Sequence, residues 1–269
     1  MESGLREKAD TLSQNLAAFG STVVAYSGGV DSVYLAWVAR QVLGKKMLAV
    51  LADSPSLAEF QKRDAIEFTR TFGIPLEVIR TEEFDNPEYI ANAPDRCFHC
   101  KDELFDKLSV MARARGFAAV AYGANADDVR DFRPGHQAAA KYGIRSPLLD
   151  AGLTKAEIRQ LAKEAGLPVW DRPASPCLSS RIPYGTRVTI QNVKMIENGE
   201  DALRALGFRQ FRVRHHGDLV RLEIAPDELP KALDPQMALK FTEIFKKLGY
   251  KYVTLDLEGY RTGSLNEAR

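Results

Sequence analysis

Apolar and polar positions follow two different periods in the first half of the chain. Apolar runs without a helical period predict buried strands at "TVVAYS" (22–27), "MLAVLAD" (47–53), "LEVIRT" (76–81) and "AAVAYGAN" (118–125). Between these runs, apolar residues at helical spacing predict helices over 5–19, 57–72 and 101–115. Strands that alternate with helices are typical of parallel β units with crossover helices. The pattern therefore predicts an α/β domain with a parallel sheet and helices on both faces.

The pattern changes after residue 170. A last helix of the first domain begins with a capping box of Thr154 and Glu157 and is stopped by Gly166 and Pro168. The stretch "DRPASPCLSSRIPYGTRVT" then has three prolines and no long apolar period, which indicates a loop. Beyond it the pattern predicts a helix over about 189–206, a hairpin that turns at 217–218, a helix over about 235–248 and a strand at "YVTLDLEG". We therefore predict an α/β domain over 1–170, a loop over 171–188 and a small α+β domain over 189–269.

Composition narrows the classes of function. The chain has 269 residues and a net charge of +1 from 37 basic and 36 acidic residues, so it lacks the uniformly basic surface of a nonspecific nucleic-acid binder. Neither a signal-peptide core nor an apolar run of about 18 residues occurs, and we expect a cytoplasmic protein without a membrane partner. Three cysteines are a poor disulfide framework in a reducing compartment and favour metal binding or thiol chemistry.

The sequence "SGGVDS" joins the first strand to a helix that begins at its aspartate. Backbone N–H groups and a helix N-terminus at such a corner suit a phosphate. The glycines allow close approach of a ligand, the two hydroxyls can donate hydrogen bonds, and the carboxylate can bind Mg²⁺. These residues are Ser27, Gly28, Gly29, Asp31 and Ser32. No lysine closes the motif, as one does in G-x-x-x-x-G-K-[ST], and a tight turn with a Ser or Asp cap is the alternative.

This motif resembles the pyrophosphate loop (PP-loop) of the ATP pyrophosphatases, the superfamily of GMP synthetase, NAD synthetase and the tRNA thiolation enzymes. The resemblance implies that the loop binds the β and γ phosphates of ATP, and that AMP is left on a substrate oxygen. It also implies that "ADSPS", which contains Asp53, flanks the adenine. Asn125, Asp127 and Asp128 would lie near the nucleotide at the carboxyl edge of the sheet, although a simple helix cap would also explain them.

The cysteines are the second group with candidate chemistry. Cys97 and Cys100 lie one turn apart at the start of a predicted helix, where both sulfurs can face one ligand and the helix N-terminus favours thiolate. A zinc site would need a fourth ligand, which His99, His215 or His216 could supply. Three cysteines could instead bind a [4Fe–4S] cluster with one iron left open, and two half-buried structural thiols are the remaining alternative.

Cys177 lies in the predicted loop between the domains, where its thiol could reach an adenylated substrate. A buried structural cysteine would more naturally lie in a strand or helix. Arg181, four residues further on, could anchor a phosphate. We therefore interpret this loop as part of the reaction site.

Six motifs, in order and over nearly the whole chain, resemble the LarE family: "SGGVDS", "RCFHCK", "GANADD", "RSPLL", "PCLSSRIPYG" and "VRHHGDLVRLEI". Members of this family are ATP-dependent sulfurtransferases that build the nickel-pincer nucleotide cofactor. They adenylate the carboxylates of pyridinium-3,5-dicarboxylate mononucleotide and replace oxygen by sulfur. The resemblance implies ATP and Mg²⁺ as cofactors, a small nucleotide as substrate and a homo-oligomer. A sulfide donor and a downstream nickel-insertion protein would be its partners.

The resemblance leaves two sulfur sources open. Family members with a single cysteine, at the position of Cys177, donate the sulfur of that residue and retain dehydroalanine. This chain also has Cys97 and Cys100. The resemblance to members with all three implies a [4Fe–4S] cluster bound by the three thiolates, with a sulfide on its open iron. Sacrifice of the Cys177 sulfur, with Cys97 and Cys100 structural, is the alternative.

Arginines of the predicted hairpin are the third group. Arg212 and Arg214 are two positions apart, so both side chains leave the same face of the strand, and Arg221 of the partner strand can join them. We expect Arg212, Arg214 and Arg181 to bind the phosphate of the substrate, with a solvated arginine face as the alternative. Glu200, in the preceding helix, matches a family position implicated in the active site.

Other functions fit the sequence less well. A tRNA thiolation enzyme would share the phosphate loop, but the near-zero net charge and the lack of a recognisable RNA-binding module argue against it. An amide-forming synthetase has no evident need for three cysteines. A zinc-stabilised nucleotide-binding module without turnover would bind ATP and release no pyrophosphate.

Overall fold

The computed structural model describes residues 3–130, 134–173 and 175–261. Packing divides the chain into two compact units, Met1–Glu83 with Asp95–Ser175 and Phe84–Pro94 with Pro176–Arg269. The chain therefore passes from the first unit to the second, back again, and finally into the second. Residues 84–94, which the sequence analysis included in the first domain, pack with the second unit, as does 176–188 of the predicted loop. Ala174 of that loop lies outside the described residues.

A four-stranded parallel sheet forms the centre of the first unit, in the order β3-β2-β1-β4. All four strands were predicted from their apolar runs. Alternate residues of β1 face opposite cores: Val24 and Tyr26 belong to one buried cluster, and Val23 and Ala25 to the other. The strands are β1 (Thr22–Tyr26), β2 (Met47–Asp53), β3 (Leu76–Arg80) and β4 (Ala119–Tyr122).

Helices cover both faces of this sheet, which confirms the predicted α/β class. One buried cluster contains apolar side chains of the first, second and eighth helices, and the other contains those of the fifth and sixth. The helices of the first unit are α1 (Ser3–Phe19), α2 (Val30–Leu43), α3 (Glu59–Thr71), α5 (Arg96–Arg115), α6 (Pro134–Lys141), α7 (Pro147–Asp150) and α8 (Lys155–Glu164). Helix α4 (Pro87–Ala91) belongs to the second unit.

Two boundaries bear on the site. Helix α5 begins at Arg96 and not near 101, so Cys97 and Cys100 lie within its first turns. The predicted capping box of α8 is present, because the Thr154 side chain accepts from the Glu157 amide and the Glu157 side chain accepts from the Thr154 amide. This capped end fixes where the first residue of α8 points.

The second unit is a small α+β arrangement, as predicted. Strands β5 (Phe211–His216) and β6 (Leu219–Ile224) form the antiparallel hairpin, with Gly217 at φ +66° in its turn. Strand β7 (Tyr252–Leu255) pairs with β6 in parallel. Helices α9 (Ile190–Ala205), α10 (Leu229–Ala232) and α11 (Pro235–Lys247) complete the unit. Across the described part of the chain, no helix is both long and apolar enough to cross a membrane.

Candidate functional site

The glycine motif forms a tight loop between β1 and α2. The Ser32 hydroxyl accepts a hydrogen bond from the Ser27 amide at 3.1 Å and donates to the Gly29 carbonyl at 3.0 Å. The Ser27 hydroxyl lies 3.1 Å from that of Ser32. Gly29 is the N-cap of α2 and makes no side-chain cap. The first amide groups of α2 are thus available to an anion at the positive end of the helix.

Two glycines allow this loop to pack closely. Gly28 adopts φ +76°, and a Cβ there would lie 2.8 Å from the Cβ of Ala65. A Cβ at Gly123, just after β4, would lie 2.9 Å from the amide nitrogen of Ser32. The sequence analysis singled out Gly28 but not Gly123. A side chain at either position would displace the loop or its neighbour.

Asp31, in the first turn of α2, is paired with a lysine that the sequence analysis missed. Its carboxylate accepts from the ammonium of Lys155, the first residue of α8, 124 positions further along the chain. Burial raises the pKa of Asp31, and the charge of Lys155 opposes that rise. Within the described residues, Oδ1 of Asp31 is buried and has no hydrogen-bond partner. A buried carboxylate oxygen of this kind fits Mg²⁺, which prefers oxygen ligands.

The three polar residues after β4, Asn125, Asp127 and Asp128, form a short turn. The Asn125 amide donates to Asp128 at 3.0 Å, and the Asp127 amide donates to the Asn125 side chain at 3.0 Å. Asp127 also accepts from the backbone amide of Lys155 at 2.8 Å, so it caps α8. These contacts match the helix-cap alternative, and contact with ATP stays a prediction. The charge of Asp128 acts on Asp31, which places both carboxylates in one region.

The segment after β2 forms its own polar contacts. Asp53, at the end of the strand, is paired with Lys62 of α3 at 2.8 Å. The Ser54 hydroxyl accepts from the Ser56 amide at 3.0 Å and donates to the buried carboxylate of Glu83. Asp53 thus lies at the carboxyl edge of the sheet, and its contact with the adenine stays a prediction.

Cys97 and Cys100 lie in the first turns of α5, Cys97 exposed and Cys100 half-buried, and neither forms a disulfide. Nε2 of His99 lies 3.4 Å from the carboxylate of Asp95, the N-cap residue of α5. Over the described ranges, no three His, Cys, Asp or Glu side chains are grouped so that they could hold a metal ion. Cys177 belongs to the other unit. A [4Fe–4S] cluster on the three thiolates and the zinc alternative both stay predictions.

Cys177 is exposed at the start of a 3₁₀ turn (Leu178–Arg181), and Arg181 holds the peptide around it. The guanidinium of Arg181, 2% exposed, donates to the carbonyls of Pro176 and Cys177 at 2.6 and 3.1 Å. It also forms a bidentate pair with Glu200 at 2.8 and 3.1 Å. Since a buried bidentate pair fixes orientation, Arg181 positions the Cys177 loop. Binding of the substrate phosphate by Arg181 stays a prediction.

Residues of the inserted segment 84–94 hold the same loop. Asn92 is fully buried at φ +56°, and its side-chain amide donates to the carbonyls of Ile182, Pro183 and Thr186 at 3.3, 2.8 and 2.8 Å. The Tyr89 hydroxyl lies 2.9 Å from that of Ser179. The sequence analysis did not identify Asn92 or Tyr89. This segment therefore holds the proline-rich Cys177 loop through side-chain hydrogen bonds.

The arginines of the hairpin form a charged layer on one face of the second sheet. Arg212 and Arg214 lie opposite Glu223 and Arg221, and Glu223, which is fully buried, accepts from Arg214 and Arg221 at 2.9 and 3.0 Å. Arg214 also donates to the Ser180 carbonyl at 3.0 Å.

Burial lowers the pKa of the Arg212 guanidinium, and the nearby positive charges of Arg181 and Arg214 add to this effect. The charges of Glu200 and Tyr260 oppose this shift, and the buried carboxylates of Glu200 and Glu223 pair with Arg181 and Arg214. Arg212 also stacks over the ring of Tyr260, 4.9 Å from its centroid. Arg212 and Arg214 therefore lie on one face of the strand, as predicted, and binding of the substrate phosphate by them stays a prediction.

Comparison with known proteins identifies the family of this chain. A family model described as NAD synthase matches residues 5–130, which contain the phosphate loop. The pyridinium-3,5-bisthiocarboxylic acid mononucleotide synthase of Lactiplantibacillus plantarum is 34% identical over 98% of this chain and 95% of its own length. An uncharacterized protein of Synechocystis is 43% identical over 97% of this chain and 98% of its own. A glutamine-hydrolyzing GMP synthase chain of Sulfurisphaera tokodaii is 27% identical over 58% of this chain and 46% of its own.

Proposed function

Because the chain belongs to the LarE family, that of the pyridinium-3,5-bisthiocarboxylic acid mononucleotide synthase, we propose that it adenylates pyridinium-3,5-dicarboxylate mononucleotide and converts its carboxylates to thiocarboxylates. It is an ATP-dependent enzyme of the PP-loop type. The observation that carries the proposal is the uncapped N-terminus of α2, where the serines and glycines of the loop surround a helix end suited to phosphate.

The reaction proceeds in two steps. A carboxylate oxygen of the substrate attacks the α phosphorus of ATP, a new O–P bond forms, and the bond to the β phosphate breaks as pyrophosphate leaves. A sulfur nucleophile then attacks the acyl carbon, and AMP leaves with the original carboxylate oxygen. The α2 amide groups hold the β and γ phosphates, and Asp31 would hold Mg²⁺, which would neutralise the charge that develops on pyrophosphate.

The phosphate of the mononucleotide is a separate point of recognition. We assign it to Arg212 and Arg214, whose planar guanidinium groups match a phosphate and lie on one face of the second sheet. Glu200 supports them indirectly, because it pairs with Arg181 and also accepts from the Val213 amide of the same strand at 3.4 Å. Arg181 is then a positioning residue for the loop, with the substrate phosphate as its second candidate contact.

The source of the sulfur atom is the most detailed part of the proposal. Cys97, Cys100 and Cys177 are the residues that would hold a [4Fe–4S] cluster, and such a cluster would supply the sulfur atom and allow repeated turnover. Neither the adenylation step nor the attack by sulfur depends on the cluster. Transfer of the sulfur of Cys177 itself is the alternative. Its thiolate attacks the acyl carbon to form a thioester, and loss of its Cα proton then breaks the Cβ–Sγ bond, which releases the thiocarboxylate and leaves dehydroalanine. We also propose a homo-oligomer, a sulfide donor and a nickel-insertion protein that accepts the product.

The test is incubation of the purified protein with ATP, Mg²⁺, a sulfur source and the dicarboxylate mononucleotide. We expect pyrophosphate release that requires the mononucleotide, and a thiocarboxylate product detected by mass spectrometry. Cys177→Ala is the matched control, because it should stop thiocarboxylate formation while pyrophosphate release persists. Pyrophosphate release that ignores the mononucleotide, or no release at all, would contradict the proposal.

A further inference from the structure

The segment after β7, residues 256–261, returns to the sheet that carries the arginines. The Tyr260 amide donates to the carbonyl of Ile224, the last residue of β6, at 2.9 Å. Gly259 allows this return, because it adopts φ +73° and a Cβ there would lie 2.6 Å from the same carbonyl oxygen. Ile224 lies opposite Phe211, the neighbour of Arg212 in β5. The chain therefore places Tyr260 beside Arg212, one of the arginines of the charged layer.

The Tyr260 side chain contacts the guanidinium group of Arg212 in two ways. The guanidinium carbon lies 4.9 Å from the centroid of the Tyr260 ring, and Nη2 donates to the Tyr260 hydroxyl at 3.4 Å. Nη1 of Arg212 donates to the Phe211 carbonyl at 2.7 Å. A cation over an aromatic face is attracted by the ring, and more strongly when it is buried, as Arg212 is. Tyr260 therefore orients the guanidinium group.

Arg212 lies among other cations, and this determines what kind of partner suits it. The positive charges of Arg181 and Arg214 act against that of Arg212. Glu200 acts in its favour, but the Glu200 carboxylate already pairs with Arg181 at 2.8 Å. The aromatic ring of Tyr260 stabilises the guanidinium group without adding a further carboxylate, which would repel a phosphate. An aromatic partner thus leaves Arg212 able to bind an anion.

We propose that Tyr260 is a positioning residue for recognition of the mononucleotide phosphate. Tyr260 orients Arg212 through its ring and its hydroxyl, and Arg212 binds the phosphate. This role rests on the proposed function, in which Arg212 and Arg214 recognise that phosphate. It adds residues 256–261, to which the sequence analysis gave no chemical role, to the substrate site of the second unit.

The experiment compares two substrates of the full chain, the dicarboxylate mononucleotide and the corresponding nucleoside, which lacks the phosphate. We expect Tyr260→Leu to raise KM of AMP formation for the mononucleotide about tenfold, while kcat and KM for the nucleoside change little. Tyr260→Phe keeps the ring and should lose only a small part of the effect. Tyr252→Leu is the matched control, because the Tyr252 side chain, in β7 of the same unit, is 64% exposed. It should match the wild type with both substrates.

A double-mutant cycle with Arg212→Gln tests whether Tyr260 acts through Arg212. We expect Tyr260→Leu to raise KM for the mononucleotide much less in the Arg212→Gln background than in the wild type. The same rise in both backgrounds, or a wild-type KM in Tyr260→Leu, would overturn the role of Tyr260. An equal rise in KM for the nucleoside would also overturn it, since the effect would then not concern the phosphate. A wild-type protein that forms no AMP with either substrate would instead overturn the proposed function.

Discussion

At the scale of single residues, the phosphate loop depends on the close packing of Gly123 against the first turn of α2, which leaves no room for a side chain. A Cβ at Gly123 would lie 2.9 Å from the Ser32 amide nitrogen and 3.2 Å from the Cβ of Asp31. Gly123→Ala should therefore displace the first turn of α2, because overpacking of this kind costs about 1–3 kcal/mol. We expect the Kd for ATP to rise roughly tenfold, which corresponds to about 1.4 kcal/mol, when measured by titration calorimetry.

Gly4→Ala is the control for this prediction. A Cβ at Gly4, in α1, meets nothing within 4 Å, and alanine is a better helix former than glycine. Its affinity for ATP should equal that of the wild type. If Gly123→Ala binds ATP as well as Gly4→Ala does, the close packing of β4 against α2 does not matter for the loop.

Local geometry was predictable from the sequence at this scale, and distant pairing was not. "SGGVDS" and C-x-x-C are short motifs whose members are neighbours in the chain, so their geometry follows from the local backbone. The partner of Asp31 comes from 124 positions away, and no local pattern announces it. The one available signal was the misplaced charge of Lys155 behind the Thr154 cap.

At the scale of elements, the inserted segment 84–94 holds the Cys177 loop through backbone carbonyls. Asn92 donates to three of them, and each hydrogen bond of this type contributes about 0.5–1.5 kcal/mol. Asn92→Ala should lower the free energy of unfolding by about 2–4 kcal/mol, because it also places alanine at positive φ. In a Cys97→Ala, Cys100→Ala background, we expect iodoacetamide to alkylate Cys177 faster.

Asn92→Gly is the comparison variant. Glycine accepts the backbone conformation at φ +56° but loses the same three hydrogen bonds, so it should destabilise less than alanine and still speed alkylation of Cys177. Affinity for ATP should change in neither variant, since the phosphate loop belongs to the other unit. Alkylation of Cys177 at the wild-type rate in both variants would show that segment 84–94 does not hold the loop.

The hairpin makes the stability of the second unit depend on pH. His215 is 4% exposed and lies 3.1 Å from the Tyr250 hydroxyl, and burial lowers its pKa; the pKa of His216 is lowered in the same direction. In the unfolded chain His takes up a proton near pH 6.5, which the folded hairpin resists. The free energy of unfolding therefore has its full value above about pH 6.5 and falls as the pH drops towards the lowered pKa values of His215 and His216.

His215→Gln tests this dependence. Urea unfolding between about pH 5 and 7 should show a shallower loss of stability in the variant than in the wild type, because one proton-linked site is removed. An unchanged slope would mean that His215 does not carry the effect.

The long elements were predictable, and the short ones were not. Among the described residues, every strand and every helix of ten or more residues was predicted, because the strands follow apolar runs and the long helices extend over several turns of pattern. Helices α4 and α7 have five and four residues, too few to show a period, and each begins with a proline that could equally mark a loop. That limitation mattered, because α4 lies in the segment that holds the Cys177 loop.

At the scale of the whole molecule, the cysteines fall in both units, and the cluster that the sequence predicts for them stays a prediction. Cys97 and Cys100 belong to the first unit and Cys177 to the second. After anaerobic purification and reconstitution, a [4Fe–4S] protein should contain about four irons and four sulfides per cluster. Alanine at any one of the three positions should abolish this content. Zinc alone, or dehydroalanine at 177 after turnover without iron, would contradict the cluster and favour transfer of the cysteine sulfur.

If a carboxylate of the substrate is adenylated before sulfur enters, one of its oxygen atoms must leave with AMP, and isotope labelling can follow that atom. The dicarboxylate mononucleotide is prepared with ¹⁸O in its carboxylates and incubated with ATP, Mg²⁺ and the sulfur source in unlabelled water. We expect each AMP to carry one ¹⁸O atom and each pyrophosphate to carry none, in step with thiocarboxylate formation. AMP without ¹⁸O, or ¹⁸O released only into water, would contradict it.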